Sequence, residues 1–222
     1  MAHASRTTTA LGYKDITVGR YNADILPIIK EGDKLDPVDF QVHLIAALNG
    51  LTEKQVLDLP LAKYTELAMA AKFLETPCDT SAVGRLADRY TLGDVTLIPC
   101  KDYEAMTAAQ FIDFQQLSKD LEANTIALLS VFLVPEGHKY NSGYDVAEVR
   151  QAIADHLSVQ DAMEILGFFF GQLPELLRDS LASLESTAKR LKDKKKRATL
   201  LERVEAAKAL LRSGAGSPTS TS

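Results

Sequence analysis

Apolar residues in the first third of the chain recur at intervals of three and four positions, which is the period of an amphipathic helix. The clearest set starts at Val38, continues through Val42 and Ile45, and stops at Asn49-Gly50. Glycine directly after the last periodic position is typical of a helix C-terminus. This pattern predicts a helix that buries one face.

Residues with capping chemistry mark the helix starts in the same region. Thr17 has the residue type of an N-cap, and Thr52 with Gln55 three positions later has the form of a capping box. Asp58 is predicted to cap a further helix that has Pro60 at its first position. Together with the apolar spacing, these signals predict four helices before residue 76.

The middle of the chain changes from helical spacing to alternation. Tyr90–Leu92 and Val95–Ile98 are short stretches rich in strand-forming residues, and Gly93-Asp94 separates them. Two alternating stretches joined by two turn residues are typical of a hairpin. A short β-hairpin is therefore predicted here.

Helical spacing returns in the second half. One helix is predicted to start with a capping box at Thr107 and to keep an apolar side as far as Leu121. A second covers Ile126–Val134, and a loop over Pro135–Tyr144 leads to a third helix, whose start is marked by a capping box of Asp145 and Glu148. The second half is thus predicted to be another helical bundle.

The two halves share a faint internal duplication. Ile16-Thr17 with Arg20-Tyr21 recurs as Met106-Thr107 with Gln110-Phe111 at the same internal spacing. Ninety-eight positions after Leu59, Leu61, Glu66 and Leu67 come Leu157, Val159, Glu164 and Ile165. The predicted fold class is therefore mainly α, with two related small helical bundles joined by a short β-hairpin, and a C-terminal amphipathic helical arm.

The chain is divided into six predicted segments. They are a flexible N-terminus at residues 1–10, a first helical repeat at 11–76, a linker and β-hairpin at 77–100, a second helical repeat at 101–173, the C-terminal helical arm at 174–213, and a disordered tail at 214–222.

The predicted arm carries an apolar stripe spaced by threes and fours that a basic run interrupts. A narrow stripe with a break in register favours an antiparallel helical pair or a broken coiled coil. Such a stripe needs a partner, which makes it a candidate for binding another protein or for self-association. Its residues are Leu177, Leu181, Leu184, Leu191, Leu200, Val204 and Leu211.

The basic run is the strongest charge cluster in the chain and has two interpretations. A solvated helix face is favoured, because no aromatic residues are interleaved for base stacking. Contact with nucleic acid phosphates is the alternative. The residues concerned are Lys189, Arg190, Lys192, Lys194, Lys195, Lys196 and Arg197. A net charge of −5 gives no general reason to expect nucleic acid binding.

One loop offers a candidate contact of a different kind. His138, Lys139 and Tyr140 lie in the predicted loop over Pro135–Tyr144, and loops on rigid scaffolds often carry binding residues. The loop lacks the order of residues that a phosphate-binding loop needs. It is therefore predicted to be a shaped connector that can also contact a partner.

No arrangement typical of catalysis or of metal or cofactor binding stands out. The four histidines have no helical pairing, and Cys78 and Cys100 lie far from any metal-ligand spacing. No apolar run is long enough to cross a membrane. The sequence predicts a protein that is not an enzyme, that has no cofactor and that does not insert into membranes.

Several short stretches resemble tail assembly chaperones of tailed bacteriophages. In the first repeat they are Tyr13–Tyr21, Leu51–Val56 and Leu59–Leu61. In the second they are Met106–Gln115 and Phe132–Gly137, which are similar to uncharacterised helical proteins of large phages of gut bacteria. Together the similar stretches extend over about residues 11–76 and 89–172.

The resemblance implies a small helical protein in the cytoplasm of an infected host. Such a protein holds the tape-measure protein, keeps its apolar helices from aggregating and helps tail-tube subunits to assemble around it; it has no catalytic residues. Other tail proteins, or further copies of the chain, are alternative partners. The fused repeats and the basic arm keep two other hypotheses open, a structural virion component of the neck, tail or baseplate and a DNA-binding packaging factor.

Overall fold

The structure is a computed structural model that describes residues 12–76, 78, 86–101 and 105–171. It is mainly helical with a small antiparallel sheet, which confirms the predicted fold class. By its contacts the chain forms two compact units, Met1–Gly167 and Phe168–Ser222. The predicted N-terminus at 1–10, arm at 174–213 and tail at 214–222 lie outside the described residues.

The first repeat contains the four predicted helical stretches. They are α1 (Val18–Arg20), which a π-helical turn (Tyr21–Ile25) joins to α2 (Leu26–Glu31); α3 (Pro37–Asn49); α4 (Glu53–Leu57); and α5 (Leu61–Ala71), with short 3-10 turns at Tyr13–Asp15, Gly32–Lys34 and Lys72–Glu75. The π turn precedes Pro27, which has no N–H for an α-helical hydrogen bond. Gly50 ends α3 in the left-handed conformation.

Two of the three predicted caps in this repeat are confirmed. Thr17 Oγ1 accepts a hydrogen bond from the N–H of Arg20, and Thr52 forms a full capping box with Gln55. The predicted cap at Asp58 is wrong. Asp58 ends α4, and the N-cap position of α5 belongs to Pro60, whose extended backbone separates the two helices.

The second repeat also has four helices. They are α6 (Ala108–Leu117), α7 (Leu121–Phe132), α8 (Val146–His156) and α9 (residues 159–171). The prediction that the first of these extends to Leu121 is wrong, because Asp120 accepts a hydrogen bond from the N–H of Ala123 and starts a new helix. The capping box at Thr107 is confirmed. Asp145 caps α8 by accepting a hydrogen bond from the N–H of Ala147, but the predicted box is wrong, because in the described structure Glu148 returns no hydrogen bond to Asp145.

A three-stranded antiparallel sheet lies between the helical parts in the order β1 (Tyr90–Leu92), β2 (Val95–Pro99), β3 (Leu133–Pro135). The predicted hairpin is confirmed, and Gly93 at φ 60° supplies the left-handed residue of its turn. The predicted helix over Ile126–Val134 is wrong at its end. Its last two residues pair with β2 as part of β3, with Val134 opposite Ile98.

The duplication extends to the burial pattern of the second helical stretch of each repeat. Asp36 caps α3 and Asp120 caps α7, eighty-four positions later. At that same offset three pairs of buried apolar positions coincide. They are Leu44 and Leu128, Ile45 and Leu129, and Leu48 and Phe132. The two helices therefore present equivalent apolar faces to the core.

The two repeats meet at what we call the repeat junction, formed by residues 16–18 and 157–159. Thr17 and Ser158 form an antiparallel bridge, and Val159 is buried in the core cluster that includes Ile16, Ile25 and Leu48 of the first repeat. The described parts of both repeats as far as Gly167 therefore belong to one unit and share part of a core. An ion pair between Lys30 and Glu122 also links them, from α2 to α7.

Candidate protein-binding surfaces

Among the described residues, the most exposed large apolar side chain lies at the start of α5. Leu61 is 79% exposed, and Met69, two turns further along the same helix, is 65% exposed. Ala62 and Thr65 lie between them and are also exposed. We call these four residues the α5 strip. Because a helix repeats every 3.6 residues, the strip forms one continuous line along α5.

The opposite face of α5 is attached to α3. Leu67 is buried in a cluster with Val42 and Ile45, and Tyr64 packs against the same cluster. The Tyr64 hydroxyl also donates a hydrogen bond of 2.8 Å to Oε1 of Gln41. The helix therefore has two apolar faces, of which one forms the core and the other, the α5 strip, faces solvent.

A groove lies beside α3 at the other side of the same repeat. Its volume is about 640 Å³, and it is lined by residues of the segment 24–28, the second half of α3 and residues 50–54. Nε2 of His43 lies 3.6 Å from Oε1 of Glu53 at this groove, and both side chains are partly exposed. The lining is mixed, since Asp24 and Lys54 lie beside Ile28 and Leu51.

The loop predicted as a partner contact is anchored on one side. His138 and Lys139 are exposed, whereas Tyr140 is half-buried and its hydroxyl donates a hydrogen bond of 2.7 Å to Oδ2 of Asp113. Burial and this hydrogen bond raise the pKa of Tyr140 well above its ordinary value. Tyr140 therefore holds the loop to α6. The ring of His138 packs edge-on against Tyr144 at 5.8 Å, so Lys139 is the most available of the three for a partner.

The remaining predicted binding residues lie outside the described residues, so their roles stay predictions. This applies to the partner-binding stripe (Leu177, Leu181, Leu184, Leu191, Leu200, Val204 and Leu211). It applies equally to the basic run (Lys189, Arg190, Lys192, Lys194, Lys195, Lys196 and Arg197).

The sequence alone missed the α5 strip. The ninety-eight-position correspondence aligns Leu61 and Leu67 with Val159 and Ile165, and this favours one shared apolar stripe. The signal that distinguishes them is angular, since Leu61 and Met69 fall on a different side of the helical wheel from Tyr64, Leu67 and Ala71.

Within the described ranges no three His, Cys, Asp or Glu side chains are close enough to hold a metal ion, and every helix is too short or too polar to span a bilayer. The class that the fold defines is a mainly helical protein with a small antiparallel sheet. The chain matches no known protein family, and no characterised protein or solved structure is significantly similar to it.

Proposed function

We propose that this protein is a phage tail assembly chaperone that binds an apolar helical segment of the tape-measure protein. The observation that carries the proposal is the α5 strip, an exposed apolar line on a helix whose other face is fully used by the core. The resemblance of short stretches within residues 11–76 to tail assembly chaperones, and of stretches within residues 89–172 to uncharacterised helical proteins of large phages, supports the same proposal. The protein then acts in the host cytoplasm, before the tail is complete.

The chemistry of the strip suits such a client. A tape-measure protein presents long amphipathic helices, and a partner helix packs on another through anchors three and four residues apart. Leu61 and Met69 lie eight residues, or about two turns, apart on one side of α5, with Ala62 and Thr65 between them small enough to let a second helix approach. Methionine adapts to irregular apolar surfaces, which favours binding of several related segments.

A binding assay with single charged substitutions tests the strip directly. Met69→Lys places a charge in it, and Ile112→Lys is the matched control, because Ile112 is 52% exposed on α6 in the other repeat. Removing one methionine contact of about 1.5–3 kcal/mol lowers affinity roughly tenfold or more. Calorimetry with tape-measure fragments should show that loss for Met69→Lys alone. Equal affinities of the two variants, or no binding by the parent protein, would overturn the proposal.

Mass spectrometry of infected cells and of purified particles tests the role in assembly. A tagged chaperone co-purifies with the tape-measure protein from cells and is absent from finished particles. Its presence in particles at stoichiometric copy number would instead make it a structural component of the neck, tail or baseplate.

A further inference from the structure

The repeat junction joins two helix starts by a pair of backbone hydrogen bonds. The N–H of Val18 donates to the carbonyl of Leu157 at 2.9 Å, and the N–H of Val159 donates to the carbonyl of Ile16 at 2.8 Å. Val18 and Val159 are the first residues of α1 and α9. The first amides of a helix have no partner inside it, so each start supplies the acceptor that the other lacks.

The duplication places a second pair of such helix starts in the chain. The counterparts of residues 16–18 are Met106–Ala108 at the start of α6, and those of residues 157–159 are Leu59–Leu61 at the start of α5. Pro60 stands where Ser158 stands, and the N–H of Ser158 takes no part in the bridge. The lack of an N–H at Pro60 therefore leaves the same bonding pattern intact.

The described structure does not join these two helix starts to each other. Among the described residues, the N–H groups of Leu61 and Ala108 donate no hydrogen bond. Leu61 is 79% exposed, whereas Val159, at the same position of the other repeat, is 6% exposed. Pro60, Thr107 and Ala108 are exposed as well.

We propose that two copies of this chain associate by joining Leu59–Leu61 of one copy to Met106–Ala108 of the other, with the bonding of the repeat junction. The N–H of Leu61 donates to the carbonyl of Met106, and the N–H of Ala108 donates to the carbonyl of Leu59. The side chain of Leu61 is then buried between the copies, as the side chain of Val159 is buried within the chain. The occupant is a second copy because this chain carries both helix starts of the pair and already joins their counterparts at the repeat junction.

The contact is smaller than the repeat junction itself. Gly19 lets α1 approach α8 closely, and its counterpart is Ala109, whose methyl group keeps α6 farther from its partner helix. The contact therefore consists of the two hydrogen bonds and the burial of Leu61. Because it joins two different surfaces, it generates a ring, an open chain or a reciprocal dimer.

Proline at the first position of α6 tests the hydrogen bonds without harming the helix. Ala108→Pro removes the donor, and Thr107 already has the extended backbone that a following proline requires. Glu53→Pro is the matched control, since it changes the first position of α4 after an equally extended Thr52. In sedimentation experiments on the full chain, the parent and Glu53→Pro should associate with rising concentration. Ala108→Pro should remain at the monomer mass of 24.2 kDa. A monomeric parent, or unchanged association of Ala108→Pro, would overturn the proposal.

Cysteine cross-linking tests the pairing of the two segments. The residues of such a bridge lie about 4.5 Å apart between Cα atoms, which suits a disulfide. Mixing Pro60→Cys with Thr107→Cys should give a cross-linked dimer of about 48 kDa, twice the chain mass of 24.2 kDa, in a yield that neither variant reaches alone. The parent protein controls for its native cysteines. No excess of dimer in the mixture would refute the pairing. Because Met69 lies outside this contact, the Met69→Lys variant tests client binding separately.

Discussion

Replacing Gly19 by alanine should destabilise the protein, although glycine to alanine in a helix ordinarily stabilises. A Cβ at Gly19 would lie 2.7 Å from the carbonyl oxygen of Ala154 in α8, closer than real contacts allow. Helix propensity favours alanine by about 0.5–1 kcal/mol, whereas overpacking against a backbone atom costs about 1–3 kcal/mol. Because a carbonyl in a helix yields less than a side chain, the cost takes the upper part of that range, and the net loss is about 1–2 kcal/mol.

Gly171→Ala is the matched comparison for this prediction. Gly171 is also helical, and a Cβ there meets nothing within 4 Å, so the substitution should stabilise by about 0.5–1 kcal/mol. At about 2–4 °C per kcal/mol for a chain of this size, the two variants should differ by roughly 5–10 °C in Tm. Thermal unfolding followed by far-UV circular dichroism measures the difference. Stabilisation of both variants would show that α1 does not approach α8 as closely as described.

Three further predictions concern polar groups that the fold holds. Gln110→Leu leaves the carbonyl of Val131 without its 3.0 Å donor in the core, and should lower the free energy of unfolding by about 2–3 kcal/mol in urea titrations. Tyr140→Phe removes the donor to Asp113, and should cost about 1–2 kcal/mol and speed proteolysis within residues 136–144; unchanged cleavage would contradict the anchoring role. Burial raises the pKa of Tyr90 from 10.0 to about 12. The contribution of the neutral Tyr90 side chain to the free energy of unfolding is therefore complete below pH 10 and is lost as the pH rises to 12. Tyr90→Phe should make the fall of Tm in that interval less steep.

The helix starts were predictable because their chemistry is local. The side chains of Thr52 and Gln55 each accept a hydrogen bond from the other residue's backbone N–H. Thr107 and Gln110 do the same. Such a signal depends on residues three positions apart and on little else. Asp58 misled for the same reason, since it has the right residue type but lies two positions before the extended Pro60 that separates α4 from α5.

The third strand was not predictable from local pattern. Leu133–Pro135 continues an apolar run that begins inside α7, and neither composition nor period marks the change from helix to strand. The change comes from pairing with β2, where Leu97, thirty-eight positions earlier, lies opposite Pro135. Long-range pairing of this kind overrides helix propensity without any signal in the local sequence.

The contrast between Leu61 and Val159 shows why the contact surfaces escaped the sequence. Both are the first residue of the closing helix in their repeat, and both are followed six positions later by a buried residue, Leu67 or Ile165. Their own burial differs because the start of α1 covers Val159 and nothing among the described residues covers Leu61 in the same way. A duplicated chain that closes one junction within itself leaves the equivalent positions of the other repeat open. The exposed apolar surface of this protein therefore follows from the internal repeat, and a partner that covers Leu61 must supply what the opening residues of α1 supply to Val159.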